Sequence, residues 1–224
     1  MKLLDTSKRL GNTKARKTNR DETIRMATLT MHPDNVVCAG AKAAGCMEDC
    51  LKDAGLGSVY PSINQARQAR TDYWHNEQER FLVQLSRELE NFSRLCAKQR
   101  VQGVVRLNVM SDISWEDYDV PQSFPELQFY DYTKKARRFH GQRQPDNYRL
   151  MFSYSGAKNY QSQVQSFLKS YSDAPMAVVF RNKNFPWTFM GREVINGDNS
   201  DWVNVNHRGV VVGLVAKGPA KTNT

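Results

Sequence analysis

The chain has no apolar run approaching the roughly 20 residues that a membrane-spanning helix needs. Its first residues lack the apolar core of a secretory signal. A cytoplasmic protein is therefore expected, with no membrane partner. Four cysteines in 224 residues are too few for a disulfide framework, and a reducing compartment is the simpler setting. The four histidines, His32, His75, His140 and His207, fall in no nucleophile motif, which leaves a metal-free hydrolase with little support. No internal repeat or low-complexity block is visible. Acidic residues are in deficit, with 23 Asp plus Glu against 32 Lys plus Arg, for a net charge of +9. A field of that sign favours a polyanionic partner such as nucleic acid and says nothing about fold. Hydrophobic residues at 40% and charged residues at 25% predict a packed globule.

What the chain does have is a concentration of thiols. Cys38, Cys46 and Cys50 fall within thirteen residues of a Gly/Ala-rich stretch. An expected strand at 26–31 precedes it, and an expected helix at 65–100 follows. Thiolates are soft, strong ligands for zinc, copper(I) and iron–sulfur clusters. Zinc ribbons and fingers pair cysteines two to four apart twice over, or add a histidine pair, and here the second pair is missing. Three thiolates with one open position suit a [4Fe-4S] cluster whose fourth iron binds a ligand. Three readings stay open: such a cluster, structural zinc, and small buried residues in a tight turn. Cys96, near the end of the long helix, reads as a core residue.

Residues 1–25 read as a basic flexible arm, with Lys14, Arg16 and Lys17 among its cations and little apolar content. The rest, 26–224, reads as a single α/β domain. Apolar residues at three- and four-residue steps predict one long helix over 65–100, with Arg67 and Arg70 on its solvated face. Strands are expected at 26–31, 101–109, 127–132, 148–154, 176–180 and 210–215, with helices after the third strand and over 157–171. That alternation predicts a mainly parallel six-stranded sheet, or a partial (β/α) barrel, with covering helices. Chemistry in such sheets collects at the carboxyl ends of the strands. There the sequence places Ser111, Asp112 and Glu116; Asp131, Lys134 and Lys135; Ser153 and Ser155; Arg181 and Lys183; Asp198 and Asp201; and Lys217. Ser111, Asp112, Asp131 and Lys217 are the candidate contacts for a polar cofactor. For Asp112 a second role is open, capping the turn that follows.

The segments 108–116, 129–134, 147–155, 177–181 and 213–218, with Gly197, Asp198 and Asp201, resemble a family of bacteriophage-encoded proteins that carries no assigned activity. That resemblance implies an origin, and with it the cytoplasm of a host cell. The order of strand, three-cysteine loop, helix and partial barrel more distantly resembles the radical S-adenosylmethionine enzymes. There three cysteines hold a four-iron cluster, and the open iron binds the methionine part of the cofactor. The resemblance implies Cys38, Cys46 and Cys50 as ligands and S-adenosylmethionine as cofactor. The chain departs from that pattern in its spacing, seven residues then three, and in having Asp49 before the last cysteine.

Three functions follow as expectations. One is a metal-bearing enzyme of radical type, with Asp112 and Asp131 holding polar groups of cofactor or substrate. A second is a nucleic-acid-binding phage protein with structural cysteines. Its contacts would be Lys14, Arg16 and Lys17 in the arm and Lys134, Lys135, Arg137 and Arg138 beside Tyr130 and Tyr132, since aromatic faces stack bases and cations meet phosphates. The third is a phage protein that binds a host protein.

Overall fold

A computed structural model describes residues 1–7, 13–47, 50, 59–139, 144–170, 173–198 and 200–217. Among these, nine strands form one sheet. They are β1 (Leu4–Asp5), β2 (Ile24–Leu29), β3 (Gln102–Arg106), β4 (Gln128–Thr133), β5 (Tyr148–Ser153), β6 (Met176–Phe180), β7 (Thr188–Phe189), β8 (Arg192–Asn196) and β9 (Val211–Val215). Their lateral order is β1-β2-β3-β4-β5-β6-β9-β8-β7. Every neighbouring pair from β2 to β8 is parallel, and only β1 and β7 run antiparallel to their neighbours, at the two edges. The α/β class and the mainly parallel sheet stand, but six strands become nine. The additional three are short or polar: two-residue β1 and β7, and β8, whose sequence Arg-Glu-Val-Ile-Asn lacks a continuous apolar run.

Five helices accompany the strands in the described residues: α1 (Thr13–Thr18), α2 (Pro61–Asn76), α3 (Gln78–Gln99), α4 (Gln161–Ser170) and α5 (Asp201–Asn204). The single helix expected over 65–100 is two. Glu77 leaves the helical region at φ −144° and ψ 51°. The break lets Trp74 and Phe81 meet edge to face at 5.3 Å, with Trp115 packed on Trp74 at 5.4 Å. Beyond it, α3 buries Phe81, Leu85, Leu89, Phe92 and Cys96, a stripe of three- and four-residue steps. In α2 the buried residues are Thr71 and Trp74, whereas Ala66 and Ala69 are exposed. Arg67 and Arg70 are half-buried rather than solvated. Arg70 donates to the Thr30 carbonyl at 3.2 Å, and the His32 N–H donates to the Arg67 carbonyl at 3.2 Å, so α2 clamps the chain leaving β2.

Consecutive parallel strands lie side by side in chain order from β2 to β6, so right-handed crossovers place their connections on one face. The packing agrees. Alternate sheet residues Ala27, Val105, Phe129, Leu150 and Met176 join Trp74, Phe81, Leu85, Val164 and Phe167 from α2, α3 and α4 in the larger core. Their neighbours Met26, Val104, Tyr130, Met151 and Val212 face the other way, under Ala15 of α1 and Val205 just after α5. Residues 1–25, read as an arm, lie along this body where they are described. Leu3 and Leu4 are buried, β1 pairs with β2, and α1 covers the second face. Parallel strands that end together form one carboxyl rim, where the loops after β2, β3, β4 and β5 converge.

Candidate functional site

The loop after β2 crosses that rim. Asp34 Oδ1 accepts from the N–H groups of Val36 and Val37 at 2.8 Å each and starts a series of tight turns. Gly45, with φ +67°, allows the chain to reverse before Cys46. The loop rests on three strand ends. The Asp112 N–H donates to the Val37 carbonyl at 2.7 Å, and Ser155 Oγ donates to the Ala44 carbonyl at 2.7 Å. Gly40 lies so close to Lys134 that a Cβ there would stand 2.9 Å from the lysine's own Cβ.

Cys38, Cys46 and Cys50 are each half-buried and free of disulfides. They share one electrostatic neighbourhood. Burial first, then the Asp112 carboxylate and the Cys46 and Cys50 sulfurs, push the Cys38 thiol up to about 12, and Lys134 offsets part of this. The Cys46 sulfur lies within the field of the Lys134 ammonium and favours its charged form. The Lys134 ammonium donates to the carbonyls of Ser153 and Tyr154, at 3.0 Å each, and burial lowers its pKa. Cys50 lies within the field of Arg67 on α2. Among the described residues, no three His, Cys, Asp or Glu side chains are arranged to hold a metal ion. Cys96 is apart from the loop, buried in the larger core with its sulfur 3.1 Å from where a Cβ on Gly103 would lie.

The expected cofactor contacts are distributed differently. Asp112 stands on the same rim as Cys38, but its carboxylate is engaged by the protein. One oxygen accepts from the Lys134 N–H at 2.8 Å and the other from Arg138 Nη1 at 3.1 Å. It does not cap the turn that follows. Asp131 is buried beneath the rim and accepts from the Asn108 N–H at 2.8 Å, Asn108 Nδ2 at 3.0 Å and the Tyr148 hydroxyl at 2.7 Å. Burial pushes its carboxyl up to about 6, against those hydrogen bonds. Ser111 donates to Asn108 Oδ1 at 2.8 Å. Lys217 is exposed at the end of β9 and lies 3.6 Å from Asp198.

Arg138 organises the rest of this network. It grips Glu116 with two hydrogen bonds of 2.8 Å, reaches Asp112, and donates to the Tyr148 hydroxyl at 2.8 Å. Its chemistry is internal, as is that of Lys134. Lys135 donates to the Asp112 carbonyl at 2.5 Å. Of the basic cluster at 134–138, Arg137 alone is exposed. In α1, Arg16 and Lys17 are exposed, and Lys17 donates to the Asp198 carbonyl at 2.7 Å; the Lys14 side chain lies outside the described residues. Asp201 belongs to neither group. It sits on the opposite sheet face, where its carboxylate meets Arg106 at 2.6 Å and the Tyr132 hydroxyl at 2.9 Å.

Two residues of this network carry no motif in the sequence. Tyr148 links Arg138 to Asp131, and the Tyr160 hydroxyl donates to the Lys134 carbonyl. Their signal was position: Tyr148 opens β5, and Tyr160 lies where the chain leaves the rim ahead of α4.

No helix among the described residues is long and apolar enough to cross a membrane. No curated protein and no solved structure matches the chain. A family model described as Gene product 88 matches residues 2–224, in keeping with the phage origin that the strand-end segments imply, and the chain belongs to that family.

Proposed function

We propose that Cys38, Cys46 and Cys50 are the ligands of a soft metal centre at the carboxyl rim. What supports this reading is placement: three half-buried thiols within thirteen residues lie on one segment seated on the carboxyl rim, with Lys134 and Arg67 in their electrostatic field. Metal ligation requires thiolates. An ammonium beside Cys46 and a guanidinium beside Cys50 offset the negative charge that three thiolates would gather. The donor set is soft and three-membered, which suits a [4Fe-4S] cluster with an open iron better than closed tetrahedral zinc. Cys38, Cys46 and Cys50 would be the residues holding such a centre, and its binding would require the loop to bring their sulfurs together. S-adenosylmethionine on the open iron is the cofactor that the resemblance to radical enzymes supplies. When bound, such a centre would provide one-electron chemistry. The chain's own part is to hold the cysteine loop on the ends of β3 and β5 through the Val37 and Ala44 carbonyls, and against β4 where Gly40 meets Lys134.

Protein purified without oxygen should contain iron and sulfide, with a broad brown absorbance, and each cysteine-to-alanine change at 38, 46 or 50 should abolish it. Zinc in place of iron would move the reading to a structural site. Metal-free protein purified without oxygen from iron- and zinc-replete cells would end it.

A further inference from the structure

Trp187 is 94% exposed, in a chain whose Trp74 and Trp115 are buried. It lies in the connection after β6, Arg181-Asn-Lys-Asn-Phe-Pro-Trp187, at the β7 edge of the sheet. This connection is anchored. Phe185 packs on Phe180 at 5.3 Å and fills the space over Gly213, where a Cβ would be only 3.2 Å away. Phe189 meets Phe180 at 5.8 Å and Tyr154 at 5.2 Å, both edge to face. The Val194 N–H donates to the Trp187 carbonyl at 3.0 Å. Pro186 fixes one backbone angle just before the indole. The result is a large aromatic face presented to water on a braced segment. Unpartnered aromatic surface of this kind marks an interaction site.

The surrounding charge selects the partner. Arg181 and Lys183 are exposed in the same connection as Trp187, which itself holds no Asp or Glu, and the β7–β8 hairpin that follows contributes one carboxylate, Glu193, exposed on β8 opposite Thr188. An apolar protein surface would gain nothing from two flanking cations. A single-stranded nucleic acid offers both complements, a base to stack on the indole and phosphates for the cations. We infer that the 181–187 connection is a stacking platform for single-stranded nucleic acid, with Trp187 against a base and Arg181 and Lys183 on the backbone. The inference is independent of the cysteine site and uses none of its residues.

The test is titration of the full-length protein with a 20-nucleotide oligothymidylate at low salt, followed by tryptophan fluorescence. Binding should quench the exposed indole. Trp187→Ala should weaken binding about tenfold or more, while Trp187→Phe, which keeps an aromatic face, should retain most of it. Arg181→Gln and Lys183→Gln should each flatten the slope of log affinity against log salt by about 0.7, the value for one phosphate contact on a single strand. Because these side chains are exposed, melting temperatures should not move. Absence of quenching, equal affinity for wild type and Trp187→Ala, or equal affinity for duplex of the same length would each overturn the proposal, since stacking on Trp187 requires an unpaired base.

Discussion

At the scale of single residues, the rim is governed by competition between burial and partners. Cys38 shows burial winning. Its thiol, pushed up to about 12, is almost wholly protonated near neutral pH, and the thiolate is the reactive form. In metal-free protein, Cys38 should be alkylated by iodoacetamide far more slowly than a free thiol at pH 8. Peptide mapping of a time course reads this directly, and rapid labelling would show that the loop does not bury it. Arg138 shows partners winning. Burial disfavours its charge, yet Tyr148, Glu116 and Asp112 hold its pKa well above the ordinary value. Removing one partner strands a buried charge, so Glu116→Leu should cost about 3 kcal/mol in urea unfolding. Asp131 gives a pH dependence of definite sign. Its folded value of about 6 exceeds the ordinary 3.8, so the folded state keeps a proton that the unfolded chain has already released. The stability contributed by that proton is fully present below about pH 4 and is lost as pH rises to about 6. The wild type should therefore carry a downward slope in urea midpoint over this window that Asp131→Asn lacks.

At the scale of elements, what could be read in advance depended on whether an element's pattern was local. The parallel strands are short apolar runs bounded by polar residues, and β6, Met176–Phe180, has the expected limits. The stripe of α3 was equally legible. By contrast, α2 faces the core through Thr71 and Trp74, because it clamps the chain leaving β2, and no periodicity reports that clamp. The thiol loop was visible as a motif, but its neighbours were not. Lys134 and Arg138 read as surface cations because the carboxylates and thiols that surround them come from other strand ends. The β7–β8 hairpin was missed because its turn, Met190-Gly191, lacks the usual Asn-Gly signal while taking φ of +50° and +75°. Met190 is in the left-handed region at a cost that asparagine bears more easily. Met190→Asn should raise the unfolding midpoint by the equivalent of about 0.5–1 kcal/mol; a lowered midpoint would mean that the Met190 side chain contributes packing that outweighs its backbone cost.

At the scale of the whole molecule, the open question raised by the fold is what closes its two edges. β7 caps one side as a two-residue antiparallel strand. On the other side the chain's own start does so. β1 pairs Leu4 with Leu29 and Asp5 with Thr28, covering the free edge of β2. Glu88 on α3 fixes this segment by accepting from the N–H groups of Leu3 and Leu4, at 3.0 Å and 2.7 Å to its nearer oxygens. Arg70 on α2 adds a bond to the Lys2 carbonyl at 3.1 Å. Composition points the other way, toward a solvated basic tail, because the anchor consists of only two leucines. Yet each leucine is 1% exposed, and burying such a side chain contributes roughly 1.5–3 kcal/mol. Deleting residues 1–7 should therefore cost about 3 kcal/mol or more, and it should expose β2 to pairing with another chain. The truncated protein should show a lower urea midpoint and a concentration-dependent shift to larger species on size exclusion. Replacing only Lys2 and Asp5 by glutamine and asparagine keeps both leucines and the backbone pairing, and should leave both readouts close to wild type. An unchanged midpoint after deletion would return the segment to the status of a detached arm.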